Sequence, residues 1–213
     1  MFQAAIFDLD GVLTQTEGVH MHMVRLIFKQ VYGYEITEDD LKLVVARHSS
    51  DYVPELVSLH QLDPVKEAEI MDNYQRVYAE LWEKESELIP GVTEVLAALA
   101  KLKVNLSLAT NSSKGSFDAF VRKFRFDGVF GKVTTGEEVK KKKPDPEIYN
   151  IAKNKLDFPV DKILVIEDSE PGVLSAKAAG LKVAAVYNQY TAYQDFSQAD
   201  YRFKTLSEIL ALF

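Results

Sequence analysis

The sequence has no cysteine, and this absence excludes several kinds of site. Disulfide bonds, thiol nucleophiles and cysteine-ligated metals are all impossible. The chain also lacks any apolar run approaching the roughly 20 residues that span a bilayer, so no membrane partner is expected. The basic segment, apolar stretch and cleavage site of a signal peptide are missing from its first residues, and we therefore expect a cytoplasmic location.

Positive charge is scarce as well. Acidic residues outnumber basic ones by 32 to 25, which leaves a net charge of −7. Proteins that bind nucleic acid need a basic surface, so no nucleic-acid partner is expected. A hydrophobic fraction of 47% and a length of 213 residues are typical of a soluble globular protein, large enough for a core and a smaller module.

One stretch near the start of the chain predicts the first strand and the first site residues. The apolar run of residues 4–7 ends at Asp8 and Asp10, and Gly11 follows. Ligands of open parallel sheets bind at the edge where such a strand ends. Two neighbouring carboxylates at that edge repel each other unless a cation or a proton joins them. The stretch therefore predicts a metal site, an acid/base pair, or both.

After this strand the pattern becomes helical and stays so for about 70 residues. Tyr74, Val77, Tyr78, Leu81 and Trp82 form an amphipathic stripe, which we expect to pack among helices rather than to bind a ligand. Because no convincing strand interrupts this block, we predict a separate helical domain over residues 16–87. The rest of the chain, residues 1–15 and 88–213, would form the core domain.

The second half of the chain alternates between helical and strand patterns. Strands are predicted near residues 104–109, 130–135, 163–166 and 183–186, and a terminal helix near 207–212. Such alternation is typical of a parallel sheet with helices on both faces. The predicted fold class is therefore α/β.

Polar residues follow several of these strands and should meet at one edge of the sheet. They are Asp8 and Asp10, then Thr110, Asn111 and Ser112, then Lys143 in a later loop, then Glu167 and Asp168. The acids favour a hard cation such as Mg²⁺. A lysine and hydroxyl groups beside that cation favour an anionic ligand, with phosphate the obvious candidate.

Each of these residues also has a simpler interpretation. Two acids after a strand can form a solvated turn, and Thr110 can cap the helix that follows it. Glu167 can pair locally rather than contribute to a metal site. The run of Lys140, Lys141 and Lys142 is expected to be a solvated surface, and only Lys143 is singled out by its place before Pro-Asp-Pro.

The four polar stretches together resemble the motifs of the haloacid dehalogenase-like phosphohydrolases, in the same order. The matching segments are 7–13 (FDLDGVL), 108–111 (LATN), 143–146 (KPDP) and 166–169 (IEDS). The group with β-phosphoglucomutase and phosphoglycolate phosphatase is the most similar. The resemblance implies a Rossmann-like core with a helical cap inserted after the first strand. It also implies a small phosphorylated metabolite as substrate, and we expect a monomer or weak homo-oligomer.

The resemblance implies a role for each matching residue. Asp8 would be the nucleophile that forms an aspartyl-phosphate, and Asp10 the general acid/base whose backbone carbonyl binds Mg²⁺. Thr110 and the amide of Asn111 would hold the transferring phosphoryl group, while Lys143 neutralises charge. Asp8 and Asp168 would bind Mg²⁺ directly, with Glu167 an outer-shell or alternate ligand.

The helical segment carries the residues expected to choose the substrate. Thr16 and His20 lie one helical turn apart and match positions near the hinge of β-phosphoglucomutase, although His20 could equally be a helix-surface residue. Arg47 matches the arginine of the mutase's cap signature, whereas the lysine, glycine and serine of that signature are absent from residues 43–47. This departure favours a phosphatase. A phosphomutase, or a binding protein without turnover, remains open, and His48 and His60 are given no partner.

Overall fold

A computed structural model describes residues 1–45, 47 and 49–213 of the chain. Residue contacts divide it into two compact units, residues 1–15 with 88–213, and residues 16–87. We call them the core unit and the helical unit. That the helical unit serves as a cap stays a prediction. Within the described residues, no helix combines the length and apolar character that a membrane span requires.

The core unit contains a six-stranded parallel sheet, which confirms the predicted α/β class. Its strands are β1 (Ala4–Phe7), β2 (Asn105–Ala109), β3 (Lys132–Thr134), β4 (Ile163–Glu167), β5 (Lys182–Val186) and β6 (Tyr201–Phe203). They lie in the order β3-β2-β1-β4-β5-β6. Because the chain progresses outward from β1 in both directions, the carboxyl end of β1 is a topological switch point, where ligands of such sheets bind.

Helices cover both faces of this sheet. The helices of the core unit are α5 (Val92–Lys101), α6 (Lys114–Phe124), α7 (Glu147–Asn154) and α8 (Glu170–Ala178). On one face, Ile6 and Val165 pack in a buried cluster with residues of α7 and α8. On the other, the Phe7 ring lies 6.4 Å from that of Phe130, which contacts Phe117 of α6. Burial on both faces explains the nearly continuous apolar runs of β1 and β4.

Two short elements of the core unit differ from the predictions. The terminal segment Leu206–Leu212 is a 3₁₀ helix, and β6 was not predicted. The alternating Tyr201-Arg202-Phe203 is too short to stand out as a strand, yet it pairs in parallel with β5 at the edge of the sheet. Two further strands of two residues each, Thr14–Gln15 and Glu87–Leu88, lie near the boundary between the units.

Among its described residues, the helical unit contains four α-helices and no strand before Glu87. They are α1 (Glu17–Tyr32), α2 (Glu38–Val44), α3 (Ser49–Leu59) and α4 (Glu67–Glu85), and α4 is preceded by the 3₁₀ turn Pro64–Lys66. Gly33 ends α1 in a left-handed conformation, and Thr37 caps α2 through a capping box. The stripe from Tyr74 to Leu81 packs against the buried cluster of this unit, as predicted.

Candidate active site

The residues that end β1, β2 and β4 meet at the switch point because these strands are paired in register. Phe7 lies opposite Leu108 on one side and Ile166 on the other. The residues that follow each of them therefore leave the sheet at the same level. Asp8, Thr110, Glu167 and Asp168 are all buried there.

Lys143 is the centre of the polar contacts at this edge. Its Nζ lies 2.6 Å from Asp8 Oδ1 and 2.6 Å from Glu167 Oε1, and it donates to the carbonyl oxygen of Ala109 at 3.1 Å. Only 5% of its side chain is exposed. Lys140, Lys141 and Lys142 are exposed, as predicted. One lysine of the run of four is thus built into the site.

Two carboxylates contact this ammonium group, and a third lies beside them. Oxygens of Asp8, Glu167 and Asp168 all lie within 4.8 Å of one another, and all three residues are buried. Burial raises the pKa of Asp8 to about 8, Lys143 opposes that rise, and the charges of Glu167 and Asp10 add to it. Burial alone would lower the pKa of Lys143, but Asp8 and Glu167 raise it above its ordinary value. The site therefore concentrates negative charge beyond what the lysine neutralises.

That excess charge, on oxygen ligands alone, suits a hard divalent cation. The donor set of Asp8, Glu167 and Asp168 fits Mg²⁺ better than metals that favour nitrogen or sulfur. The carboxylate of Asp10 is outside this set and is held elsewhere. Its Oδ2 accepts hydrogen bonds from Ser112 Oγ at 2.6 Å and from Thr110 Oγ1 at 3.4 Å.

Thr110 does not cap the helix that follows it. The N-cap of α6 is Ser113, whereas Thr110 Oγ1 accepts a hydrogen bond from the backbone N–H of Ser112 at 3.0 Å. The side-chain oxygen of Asn111 accepts from the backbone N–H of Lys143 at 3.1 Å. The loop after β2 is therefore hydrogen-bonded to the loop that carries Lys143. Because Ser113 is the N-cap of α6, the capping interpretation of Thr110 is wrong.

Glu167 is fully buried and has contacts that the sequence did not reveal. Tyr149 of α7 donates its hydroxyl to Oε1 at 2.5 Å, and Ser169 donates to Oε2 at 3.1 Å. A Cβ on Gly172 would lie 2.0–2.1 Å from the carboxylate, so only glycine permits this approach of α8. Glu167 is thus paired locally and also belongs to the carboxylate cluster, so its two interpretations are compatible.

Ser112 was placed at this edge from the sequence but was given no role, whereas two other residues of the site, Asn188 and Tyr149, went unrecognised. Asn188 had a usable signal, because it follows a strand of the sheet, the rule that identified Asp8 and Asp168. Asn188 Nδ2 donates to Asp168 Oδ2 at 2.8 Å. Tyr149 had no such signal, since it lies within the apolar pattern of a helix and its hydroxyl meets Glu167 only in three dimensions.

In the helical unit, His20 lies in a partly buried polar network rather than on an open helix surface. Its Nε2 is 2.9 Å from the hydroxyl of Tyr52 and in very close contact with that of Tyr74, while its Nδ1 is 3.8 Å from a Glu17 oxygen. Burial raises the pKa of Tyr74 to about 12, so its hydroxyl stays protonated. Thr16 is buried at the N-cap of α1.

Arg47 is exposed and already has a carboxylate partner. Its Nη2 lies 2.7 Å from Glu55 Oε2, and its Nη1 donates to the carbonyl oxygen of Leu43. His60, for which no partner was predicted, pairs with Asp40 at 2.6 Å. His48 lies outside the described residues.

Comparison with known proteins places this chain in a family. The model of the haloacid dehalogenase-like hydrolases matches residues 5–186. A phosphorylated carbohydrates phosphatase of Thermotoga maritima is 31% identical over 84% of this chain and 82% of its own length. Protein CbbY of Rhodobacter capsulatus is 30% identical over 96% of this chain and 94% of its own.

A solved structure gives the same result for the fold. A mutant CbbY from Rhodobacter sphaeroides, in complex with xylulose-(1,5)-bisphosphate, superposes with a TM-score of 0.81 at 26% identity. The match covers 98% of this chain and 96% of that one. The family model spans both units and all four polar stretches of the site. The chain therefore belongs to the haloacid dehalogenase-like hydrolases.

Proposed function

We propose that the chain is a Mg²⁺-dependent phosphatase that hydrolyses a small phosphorylated carbohydrate through an aspartyl-phosphate on Asp8. The observation that carries the proposal is the buried cluster in which Lys143 joins Asp8 to Glu167 beside Asp168. The names of the similar phosphatase and of the CbbY complex with a sugar bisphosphate support the class of substrate.

Asp8, Glu167 and Asp168, with the backbone carbonyl of Asp10, are the groups that would hold the cation. When bound, Mg²⁺ supplies positive charge that favours the ionised form of Asp8 and offsets the charge of the phosphoryl group. A requirement for this additional positive charge is consistent with the raised pKa of Asp8, because Lys143 alone does not bring that pKa back to its ordinary range.

In the first step a carboxylate oxygen of Asp8 attacks phosphorus, and the bond between phosphorus and the ester oxygen breaks. Asp10 donates a proton to the departing oxygen. The hydroxyl of Thr110 and the backbone amide of Asn111 donate to the phosphoryl oxygens, and Lys143 stabilises their charge.

In the second step Asp10 removes a proton from water, which attacks the phosphorus of the aspartyl-phosphate. The bond between phosphorus and the Asp8 oxygen breaks, and phosphate leaves. Ser112 supports this sequence because its hydroxyl holds the Asp10 carboxylate beside Thr110 without adding a charge.

Thr16, His20 and Arg47 stay our proposed substrate contacts from the helical unit. The hydroxyl and imidazole groups around His20 suit a hydroxylated ligand, since they both donate and accept hydrogen bonds. Arg47 suits a distal anionic group, which would compete with Glu55 for its guanidinium.

Phosphate release from a panel of sugar phosphates, with and without Mg²⁺, tests the proposal. We expect Mg²⁺-dependent release by the wild-type chain and none by Asp8→Asn, whose fold should be intact. Isomerisation without net release, primed by a sugar bisphosphate, would instead identify a phosphomutase. Absence of any turnover across the panel would favour a binding protein.

A further inference from the structure

Asn188 lies two residues beyond the end of β5 and contacts two parts of the site. It is 5% exposed. Its Nδ2 donates to Asp168 Oδ2 at 2.8 Å and to the backbone carbonyl of Gly11 at 3.3 Å. A single amide group thus joins the carboxylate after β4 to the loop after β1.

The orientation of this amide follows from its other end. Asn188 Oδ1 accepts a hydrogen bond from the backbone N–H of Tyr190 at 3.1 Å. A backbone N–H can only donate, so the oxygen must face Tyr190 and the nitrogen must face Asp168. In the contact with Asp168, the Asn188 nitrogen therefore donates the hydrogen bond and the carboxylate oxygen accepts it.

A second residue of the same loop holds the backbone of Asp168. Thr191, which is 2% exposed, donates its hydroxyl to the carbonyl oxygen of Asp168 at 2.5 Å. Side chain and main chain of Asp168 are thus both held from residues 188–191. An aspartate held at two points loses most of the rotation by which its carboxylate could turn away from Asp8 and Glu167.

The space around this contact is closed on the side of Gly11. A Cβ on Gly11 would lie 2.0 Å from Asp168 Oδ2 and 2.7 Å from Asn188 Nδ2. The lack of a side chain at Gly11 therefore lets the Asp168 carboxylate and the Asn188 amide lie directly against the loop after β1. A neutral donor has a further advantage here, since it orients the carboxylate without removing the negative charge that attracts a cation.

We propose that Asn188, supported by Thr191, is a positioning residue that orients the Asp168 carboxylate for cation binding. The proposal rests on the proposed function, because it assumes that Asp168 binds the metal. Loss of a partner that orients a ligand typically weakens metal affinity by about 10–100-fold. Asn188→Ala should therefore raise the Kd for a divalent cation by that factor.

Mn²⁺ binding to the metal-stripped full chain, followed by electron paramagnetic resonance, measures this Kd directly. The matched control is Asn105→Ala, which removes an exposed asparagine at the start of β2 and should leave the Kd unchanged. In turnover assays, Asn188→Ala should need a higher Mn²⁺ concentration for half-maximal activity. Its kcat at saturating Mn²⁺ should return to the wild-type value. A merely structural role would lower Tm without moving the Kd.

Two results would overturn the role of Asn188. The first is a folded Asn188→Ala with the wild-type Kd. The second applies if circular dichroism shows that Asn188→Ala does not fold. Thr191→Val should then also weaken Mn²⁺ binding, and a wild-type Kd for Thr191→Val would contradict the proposal. A wild-type chain that binds no Mn²⁺ would instead contradict the proposed function itself.

Discussion

The hydroxyl of Tyr149 offers the sharpest test of how the carboxylate cluster is held. It donates to Glu167 Oε1 at 2.5 Å inside a fully buried environment, and the ring lies 4.9 Å from Lys143 Nζ. Tyr149→Phe removes the hydroxyl while it keeps the ring and its contact with the ammonium group. Burial, then the charges of Glu167 and Asp8, raise the pKa of Tyr149 far above its ordinary value, so the group is a donor at every accessible pH.

The expected loss follows from the kind of bond that is removed. A hydrogen bond to a charged group contributes about 1.5–3 kcal/mol net. Glu167 keeps Lys143 and Ser169 as partners, so its charge is not left unpaired and a larger loss is not expected. For a chain of this size, 1 kcal/mol shifts Tm by about 2–4 °C, which predicts a fall of about 3–12 °C.

Calorimetry of the metal-free chain measures this shift. Tyr187→Phe is the matched control, because Tyr187 is 61% exposed and its substitution should change the free energy of unfolding by less than about 0.5 kcal/mol. If Tyr149→Phe unfolds at the same temperature as this control, the hydroxyl does not stabilise Glu167 and our account of the cluster is wrong.

Three further substitutions have distinct expected outcomes. Gly11→Ala introduces a Cβ 2.0 Å from an Asp168 oxygen at a φ of +83°. It should lower the free energy of unfolding in urea by at least about 1–3 kcal/mol. An unchanged urea midpoint would contradict the close approach of Asp168 to Gly11. Burial alone would raise the pKa of Asp200, but two lysines and a backbone amide lower it from 3.8 to about 2. The ionised form is therefore stabilising above pH 3.8, and this stabilisation is lost as the pH falls towards 2. Asp200→Asn should thus lower the free energy of unfolding by about 2 kcal/mol at neutral pH. If the same loss of stability persists at a pH near 2, the ion pairs of Asp200 are not its cause. Arg47→Ala should raise KM for a substrate with a distal anion and leave kcat nearly unchanged, whereas an unaltered KM and substrate profile would exclude Arg47 from recognition.

The sheet and the strand-end residues were predictable because each depends on local pattern. The apolar runs of β1 and β4 are uninterrupted and are followed by acids, so both the strands and the placement of Asp8 and Asp168 could be predicted from residue type and order. The resemblance of four motifs then named a role for each residue. β6 escaped prediction because it has three residues, only partly buried, at the edge of the sheet.

What could not be predicted depends on contacts between distant segments. Tyr149 looks like any core aromatic of an amphipathic helix, and only the packing of α7 against β4 reveals its bond to Glu167. Likewise, the helical periodicity of the stripe that ends near Trp82 predicts that its aromatic rings are buried. It does not predict that the hydroxyl of Tyr74 contacts His20. Side-chain hydrogen bonds between elements follow from the fold rather than from local sequence.

Acid-quenched trapping of the phosphoryl group is the decisive experiment for Asp8 as the nucleophile. The full chain would be mixed with Mg²⁺ and a turned-over sugar phosphate, quenched in acid during the first turnover, digested and mapped by mass spectrometry. We expect a phosphoryl group on the peptide of residues 1–25, at Asp8, and none on Asp8→Asn. A phosphoryl group on another residue, or turnover by Asp8→Asn, would show that Asp8 is not the nucleophile.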